Sequence, residues 1–176
     1  VDGRLTFKEP AQVDRTIDLT GSWVVPPFAD AHNHSIGTGD EDSDRSAIRR
    51  FLADGVFYVK MQGNLPLTGD MKGRLRINRP DSLDAVFAQG SLTVDGGHPS
   101  FLMELLLQAG VFPGHTKETL KDLRYFTIDS EADLNKKWPL VLSQRPDFIK
   151  TFLWRSEEFE QRKADPAAGF QKGLDP

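Results

Sequence analysis

The sequence predicts an α/β fold in which helices alternate with the strands of a parallel sheet. From Phe28 onward, short apolar runs alternate with longer segments of helical periodicity, an order that is typical of βα units. The chain has 176 residues, of which 38% are hydrophobic and 27% are charged. This balance predicts a globular chain with one sizeable core and excludes a wholly disordered or fibrous one.

The first 27 residues are expected to form β structure that precedes the α/β part. Asp2-Gly3 is a tight-turn dipeptide, and apolar and polar residues alternate over residues 4–7. A second short strand fits residues 16–19, and a third apolar run follows at residues 23–25. The chain begins at Val1 inside a strand-like stretch, so we expect it to be part of a longer protein.

Four strands and three helices are predicted from Phe28 onward. The strands are expected at residues 28–32, 56–61, 84–87 and 148–153, where apolar runs are bounded by Gly, Pro or Asp. Helical spacing predicts a first helix that Ser43 caps and that ends near Gly55. Two more helices fit residues 101–109 and 130–143; Pro139 is expected to kink or split the second of these. Residues 62–80 and 90–99 are expected to be long loops.

Composition and charge restrict the partners of this chain. With 22 Lys and Arg against 26 Asp and Glu, the net charge is −4, which gives no electrostatic footprint for nucleic acid. No apolar run approaches the ~20 residues of a membrane span. Cys is absent, so a metal site has to use His, Asp, Glu or Lys. We therefore expect a soluble protein, cytoplasmic or exported, whose partner is a small molecule.

The clearest chemical signal is the pair His32 and His34 at the end of the first predicted strand. Side chains at positions i and i+2 of a strand share a face, so both imidazoles converge while Asn33 points away. Two neutral imidazoles can bind one divalent cation, although two surface histidines in a polar loop give the same pattern. Asp30 lies on the same face and is expected either to orient these imidazoles or to serve as a structural hydrogen-bond acceptor.

Lys150 is the second signal, because it interrupts the apolar run of residues 148–153. Burial lowers the pKa of a lysine and makes the neutral amine available as a nucleophile. Such an amine can add carbon dioxide and form a carbamate that bridges two cations. The alternative is a lysine whose stem lines the strand while its head reaches water.

Residues 17–26, followed by Phe28-Ala29-Asp30-Ala31-His32-Asn33-His34, resemble the metal-dependent amidohydrolase superfamily at its passage from a small β domain into the first barrel strand. Residues 146–150 resemble the fourth strand, where many members carry a carboxylated lysine. The resemblance implies that residues 1–27 are part of a β-sandwich-like accessory domain. It also implies that residues 28–176 are the first half of a (β/α)8 TIM-like barrel, with its first four strands and the helix that follows.

The same resemblance implies a hydrolase that cleaves an amide or another C–N bond, in a small or dipeptide-like substrate, with a metal-activated water. His32, His34 and Lys150 are the implied metal ligands, and the implied cofactor is zinc or a similar divalent cation, as one or two ions. The family's remaining histidines and its catalytic aspartate belong to later strands. We therefore expect no catalytic base among these 176 residues and no activity from this part alone.

Three further expectations concern His98, oligomerisation and an alternative function. His98 follows the third predicted strand and is expected either to contact substrate or to lie in a surface loop. Half a barrel leaves two sheet edges unpaired, which a second copy of the chain could cover. The alternative function is a non-catalytic α/β module that binds a ligand or a partner chain. This alternative arises because the metal ligands that the family carries on later strands are not among these residues.

Overall fold

The computed structural model describes residues 6–8, 10–75 and 82–152, and within these ranges strands and helices alternate. The strands are β1 (Phe28–Asn33), β2 (Val56–Met61), β3 (Asp84–Phe87), β4 (Ser91–Thr93) and β5 (Tyr125–Thr127). The helices are α1 (Glu41–Ala53), α2 (Gly69–Leu75), α3 (Ser100–Gln108), α4 (Lys117–Leu120) and α5 (Glu131–Ser143). Among these helices, none has the length and apolar character that crossing a membrane requires.

Strands β1, β2 and β3 form a parallel sheet in the order of the chain. The register of β2 on β3 runs without a break from Tyr58 opposite Asp84 to Met61 opposite Phe87. Parallel neighbours need a crossover connection, and α1 and α2 lie in the two connections of this sheet. The predicted α/β class and the first three predicted strands are confirmed, with β1 one residue longer than expected. The half-barrel stays a prediction.

The core of this part lies between the first sheet and helix α1. Ala47 and Ile48 are buried on α1 and belong to one apolar cluster with residues of β2 and β3, including Met61 and Phe87. The helix begins three residues earlier than predicted, because its cap is Asp40 and not Ser43. The Asp40 carboxylate accepts a hydrogen bond from Ser43 N at 3.2 Å, so Ser43 is already inside the first turn.

Strands β4 and β5 form a second parallel sheet of two strands. Strand β4 lies inside residues 90–99, which the sequence predicted to be a loop, and α2 likewise lies inside the predicted loop 62–80. Both predictions are wrong because segments of three and seven residues are too short to show a periodicity. Helix α5 runs through Pro139 as one element, so the proline does not split it.

The fourth predicted strand, residues 148–153, is not a regular strand. Leu92 N donates to Lys150 O at 2.8 Å, and Thr151 forms an isolated parallel bridge with Leu92. A single bridge does not make a ladder, which needs successive pairs. The segment nevertheless lies beside β4, as a neighbouring parallel strand would; Leu153 lies outside the described residues.

Asp147 fixes the start of that segment on strand β3. Its backbone N donates to Phe87 O at 2.8 Å, and its carboxylate accepts from Phe87 N at 2.9 Å. Lys72 Nζ lies 3.4 Å from the same carboxylate. The three contacts place the start of this segment at the end of strand β3.

Residues 16–19 and 23–25 do not form the predicted strands, and neither do Thr6 and Phe7. A strand is stable only when a neighbour accepts its hydrogen bonds, and none of the described residues pairs with these segments. Trp23 is 92% exposed, so its side chain packs on nothing in the described part of the chain. The turn at residues 2–3 lies outside the described residues, and the accessory β domain stays a prediction.

Candidate metal centre

The two histidines lie side by side where strand β1 ends. Their ring centroids are 5.4 Å apart, and the ring planes are inclined by 60°. Asn33 between them is buried, whereas His32 and His34 are exposed, which agrees with the alternation expected of a strand. The register of β1 on β2 shifts between Asp30 and Asn33, so the strand is irregular at this point. The structure therefore brings together the two imidazoles that the sequence predicted as a pair.

Asp30 holds the backbone of this turn. One carboxylate oxygen accepts from His32 N at 3.0 Å, and the other accepts from Asn33 Nδ2 at 2.7 Å. These contacts match the structural hydrogen-bond acceptor that was one of its two expected roles. Neither of these two bonds involves an imidazole ring.

His34 is oriented by the chain that follows β2. Its Nδ1 lies 3.4 Å from Gly63 O, which can accept a hydrogen bond only when the proton is on Nδ1. That tautomer leaves the lone pair of Nε2 free for a ligand. Although His34 is exposed, its partial burial lowers the pKa of the imidazole, the bond to Gly63 raises it, and the positive charges of Arg124, His32 and Lys150 lower it further. The lowered pKa favours the neutral imidazole, the form that binds a metal ion.

We expect an NMR pH titration of the imidazole signals to give a pKa for His34 below its ordinary value of 6.5. The unfolded chain binds this proton more tightly than the folded chain, so acidification below pH 6.5 favours unfolding. The same histidine titrated in the urea-unfolded chain is the control. A folded-state pKa at or above the unfolded value would contradict the placement of His34 beside these cations.

Lys150 lies within electrostatic range of both His34 and His98. Burial lowers the pKa of Lys150, and the positive charge of Lys60 lowers it further. Its Nζ lies 4.9 Å from the centroid of the Phe152 ring, so the ammonium is flanked by an aromatic face. Burial and the charge of Lys60 favour the neutral amine, whereas the Phe152 face, which attracts a cation, favours the ammonium.

Lys60 is a functional candidate that the sequence analysis missed. It lies in β2, and its Nζ is 4.4 Å from the centroid of the Phe148 ring. The signal that pointed to Lys150, a lysine inside an apolar run, was also present at Lys60 in residues 56–61. The positive charges of Lys60 and Lys150 repel each other.

His98 lies at the same site as Lys150. Its ring packs edge-on against Phe152, with ring centroids 4.7 Å apart. Burial lowers the pKa of His98, and the charge of Lys150 adds to that effect. The structure thus brings His98 next to the ring that also contacts Lys150; contact with substrate stays a prediction.

Arg124 is the second residue that sequence reasoning missed, since no spacing or motif marks it. It precedes β5, is buried, and its Nη2 donates to Gly63 O at 2.9 Å. Gly63 O therefore faces both Arg124 and His34. A side chain at Gly63 would collide with the guanidinium, because its Cβ would lie 2.6 Å from Arg124 Nη1.

Without a chemically modified side chain, the described residues of this site supply only part of a set of metal ligands. Among residues 6–8, 10–75 and 82–152, no group of three His, Cys, Asp or Glu side chains is placed to hold a cation. Two imidazoles are in place, and the nearby charged groups at Lys60, Arg124 and Lys150 are all positive. A carbamate on Lys150 would replace one of these positive charges with an anionic ligand.

Comparison with known proteins gives partial matches to imidazolonepropionases. The chain is 33% identical over 79 residues to the enzyme of Pseudomonas putida and 32% identical over 79 residues to that of Pseudomonas entomophila. The match covers 45% of this chain and 18% of the length of each relative, so the chain matches less than a fifth of these curated relatives. No protein-family model and no solved structure matches the chain.

Imidazolonepropionases are hydrolases and members of the amidohydrolase superfamily. The similarity therefore supports, at partial and distant identity, a hydrolase segment of that superfamily. This similarity agrees with the resemblance to the amidohydrolase superfamily at the histidine pair and at residues 146–150.

Proposed function

We propose that this chain is the metal-binding part of an amidohydrolase that cleaves an amide or another C–N bond. The observation that carries the proposal is the pair of adjacent imidazoles at the end of a parallel strand, with Lys150 close enough to lower the pKa of one of them. The carboxyl ends of parallel strands are where α/β enzymes place their chemistry. The similarity to imidazolonepropionases supports the same class of reaction.

His32, His34 and a carboxylated Lys150 would hold the metal, which is zinc or a similar divalent cation, as one or two ions. When bound, such an ion lowers the pKa of a water molecule to ~7 and polarises the substrate carbonyl. A hydrogen bond from Nδ1 to Gly63 O favours one tautomer of His34, and Nε2 would then be the nitrogen that holds the metal.

Carboxylation of Lys150 needs a neutral amine and carbon dioxide. Burial and the neighbouring Lys60 both lower the pKa of Lys150, which raises the neutral fraction at pH 7. The nitrogen lone pair attacks the carbon of carbon dioxide, an N–C bond forms, and the nitrogen loses a proton to solvent. The product is an N-carboxylate with one negative charge, which the nearby positive groups stabilise.

The substrate we propose is a small or dipeptide-like molecule with a cyclic or open amide. An imidazolone ring, which the relatives' name contains, is one such cyclic amide. His98 is placed to contact substrate, because it lies at the same site as Lys150. The base that handles the proton of the attacking water is expected from a part of the protein beyond these residues.

Lys150 provides the test of this function. In the presence of ¹³C-labelled bicarbonate, we expect the chain to show a carbamate signal by ¹³C NMR and to bind zinc more tightly than in bicarbonate-free buffer. Lys150→Arg is expected to abolish both effects, because an arginine stays protonated and cannot form the carbamate.

Exposed Lys136 provides the control, and Lys136→Arg is expected to leave the carbamate signal and the zinc affinity unchanged. A chain that folds, binds no zinc and shows no carbamate contradicts the proposal. That result would favour the non-catalytic ligand-binding module instead.

A further inference from the structure

The guanidinium of Arg124 is a buried charge with no acidic partner in the described part of the chain. The residue is 9% exposed, and Gly63 O is the acceptor of its side-chain hydrogen bond. Arginine has five N–H donors, so most of them have no acceptor among the residues that the structure describes. No Asp or Glu of residues 6–8, 10–75 and 82–152 forms an ion pair with it.

A buried charge without a counter-charge is costly. The penalty for taking an ion out of water is several kcal/mol even after relaxation, and a buried arginine normally recovers it from a carboxylate. Burial lowers the pKa of Arg124 to about 10, with no acidic neighbour raising it again. The group still carries its positive charge at pH 7, so an anion at this position would supply the missing counter-charge.

A second unpartnered polar group lies beside it. Ser91 is 0% exposed, and its Oγ has no hydrogen-bond partner among the described residues. A Cβ built on Gly63 would lie 3.0 Å from Ser91 Oγ and 2.6 Å from Arg124 Nη1. Both groups therefore pack against the backbone of Gly63 and lie close to each other, and each has hydrogen-bonding capacity that no described residue uses.

We propose that Arg124 and Ser91 form a subsite for the carboxylate group of a small ligand. The planar fork of a guanidinium matches the two oxygens of a carboxylate, and the Ser91 hydroxyl can donate to one of them. Gly63 O joins Arg124 to the exposed His34, so the subsite borders the open side of the metal centre. The binding itself requires no metal; that the carboxylate belongs to a substrate rests on the proposed function.

The experiment is a titration of the metal-free full chain with ¹³C-labelled acetate, followed by ¹³C NMR in the presence of a chelator. We expect saturable binding that weakens at least tenfold in Arg124→Met and several-fold in Ser91→Ala. Arg50→Met removes an exposed arginine of α1 and is expected to leave acetate binding unchanged. Competition with inorganic phosphate at equal ionic strength separates a carboxylate subsite from a general anion site.

Three results would overturn the proposal: no saturable acetate binding, equal affinity in the wild-type chain and Arg124→Met, or phosphate binding more tightly than acetate. If Arg124→Met does not fold, Ser91→Ala and Arg124→Lys decide, since both retain the buried positive charge. Neither zinc nor hydrolysis is read out, so this result and the carbamate result on Lys150 fail or succeed separately.

Discussion

Replacing His34 with alanine is expected to lower the affinity of the chain for zinc by a factor on the order of 100 or more. Loss of a supporting partner alone typically costs 10–100-fold in metal affinity, and His34→Ala removes a ligand atom outright. The ring of His34 is the one that Gly63 O orients, and its neighbour His32 lies 5.4 Å away, centroid to centroid. Competition with a chromophoric chelator in bicarbonate buffer measures the affinity.

His115→Ala is the matched control for that measurement. His115 lies in the turn before α4, and its Nδ1 is 3.5 Å from Thr119 Oγ1 within the local cap of that helix. We expect this variant to bind zinc as the wild-type chain does. Equal losses in His34→Ala and His115→Ala would show that zinc binds nonspecifically to histidines, and the metal centre at β1 would then be wrong.

Replacing Phe87 with alanine is expected to destabilise the chain by about 3–5 kcal/mol, the usual cost of truncating a fully buried phenylalanine. Phe87 is 0% exposed and lies in the main apolar cluster. Its ring packs so closely on Gly37 that a Cβ there would lie 3.2 Å from Phe87 Cε1. Urea denaturation measures the change in the free energy of unfolding.

Val86→Ala is the control, because Val86 lies in the same strand with its side chain on the exposed face. It removes strand-favouring bulk without opening a cavity, so we expect a loss of no more than about 1 kcal/mol. Comparable losses in the two variants would contradict the description of Phe87 as the centre of the core.

The parts of the fold that could be predicted are those with strong local signals. Residues 56–61 and 84–87 are apolar runs bounded by breakers, and both became strands with the predicted bounds. The alternation at residues 16–19 gave an equally plausible pattern but no strand, because alternation does not supply a pairing partner. Strands β4 and β5 have three residues each, too few for any pattern to reveal.

In the candidate site, too, features with a local sequence signal could be predicted and features without one could not. The spacing of His32 and His34 follows from the geometry of a strand, so their adjacency could be predicted from two positions in one segment. Arg124 and Ser91 meet next to Gly63 only through tertiary packing, across about sixty and thirty residues of chain, and no local pattern encodes such a meeting. Site residues that are close together in the sequence could be predicted as neighbours, whereas residues that only tertiary packing brings together could not.

Because Asp147 is bonded to Phe87, the surroundings of Lys150 depend on the order in which parts of the chain fold. The two backbone and side-chain bonds between Asp147 and Phe87 close a loop of sixty residues, and closing so long a loop has an entropic cost that local contacts do not share. We therefore expect the lysine to dock late, after the three-stranded sheet has assembled. A nascent or partly folded chain would hold the histidines in place while its lysine amine still titrated as it does in free solution.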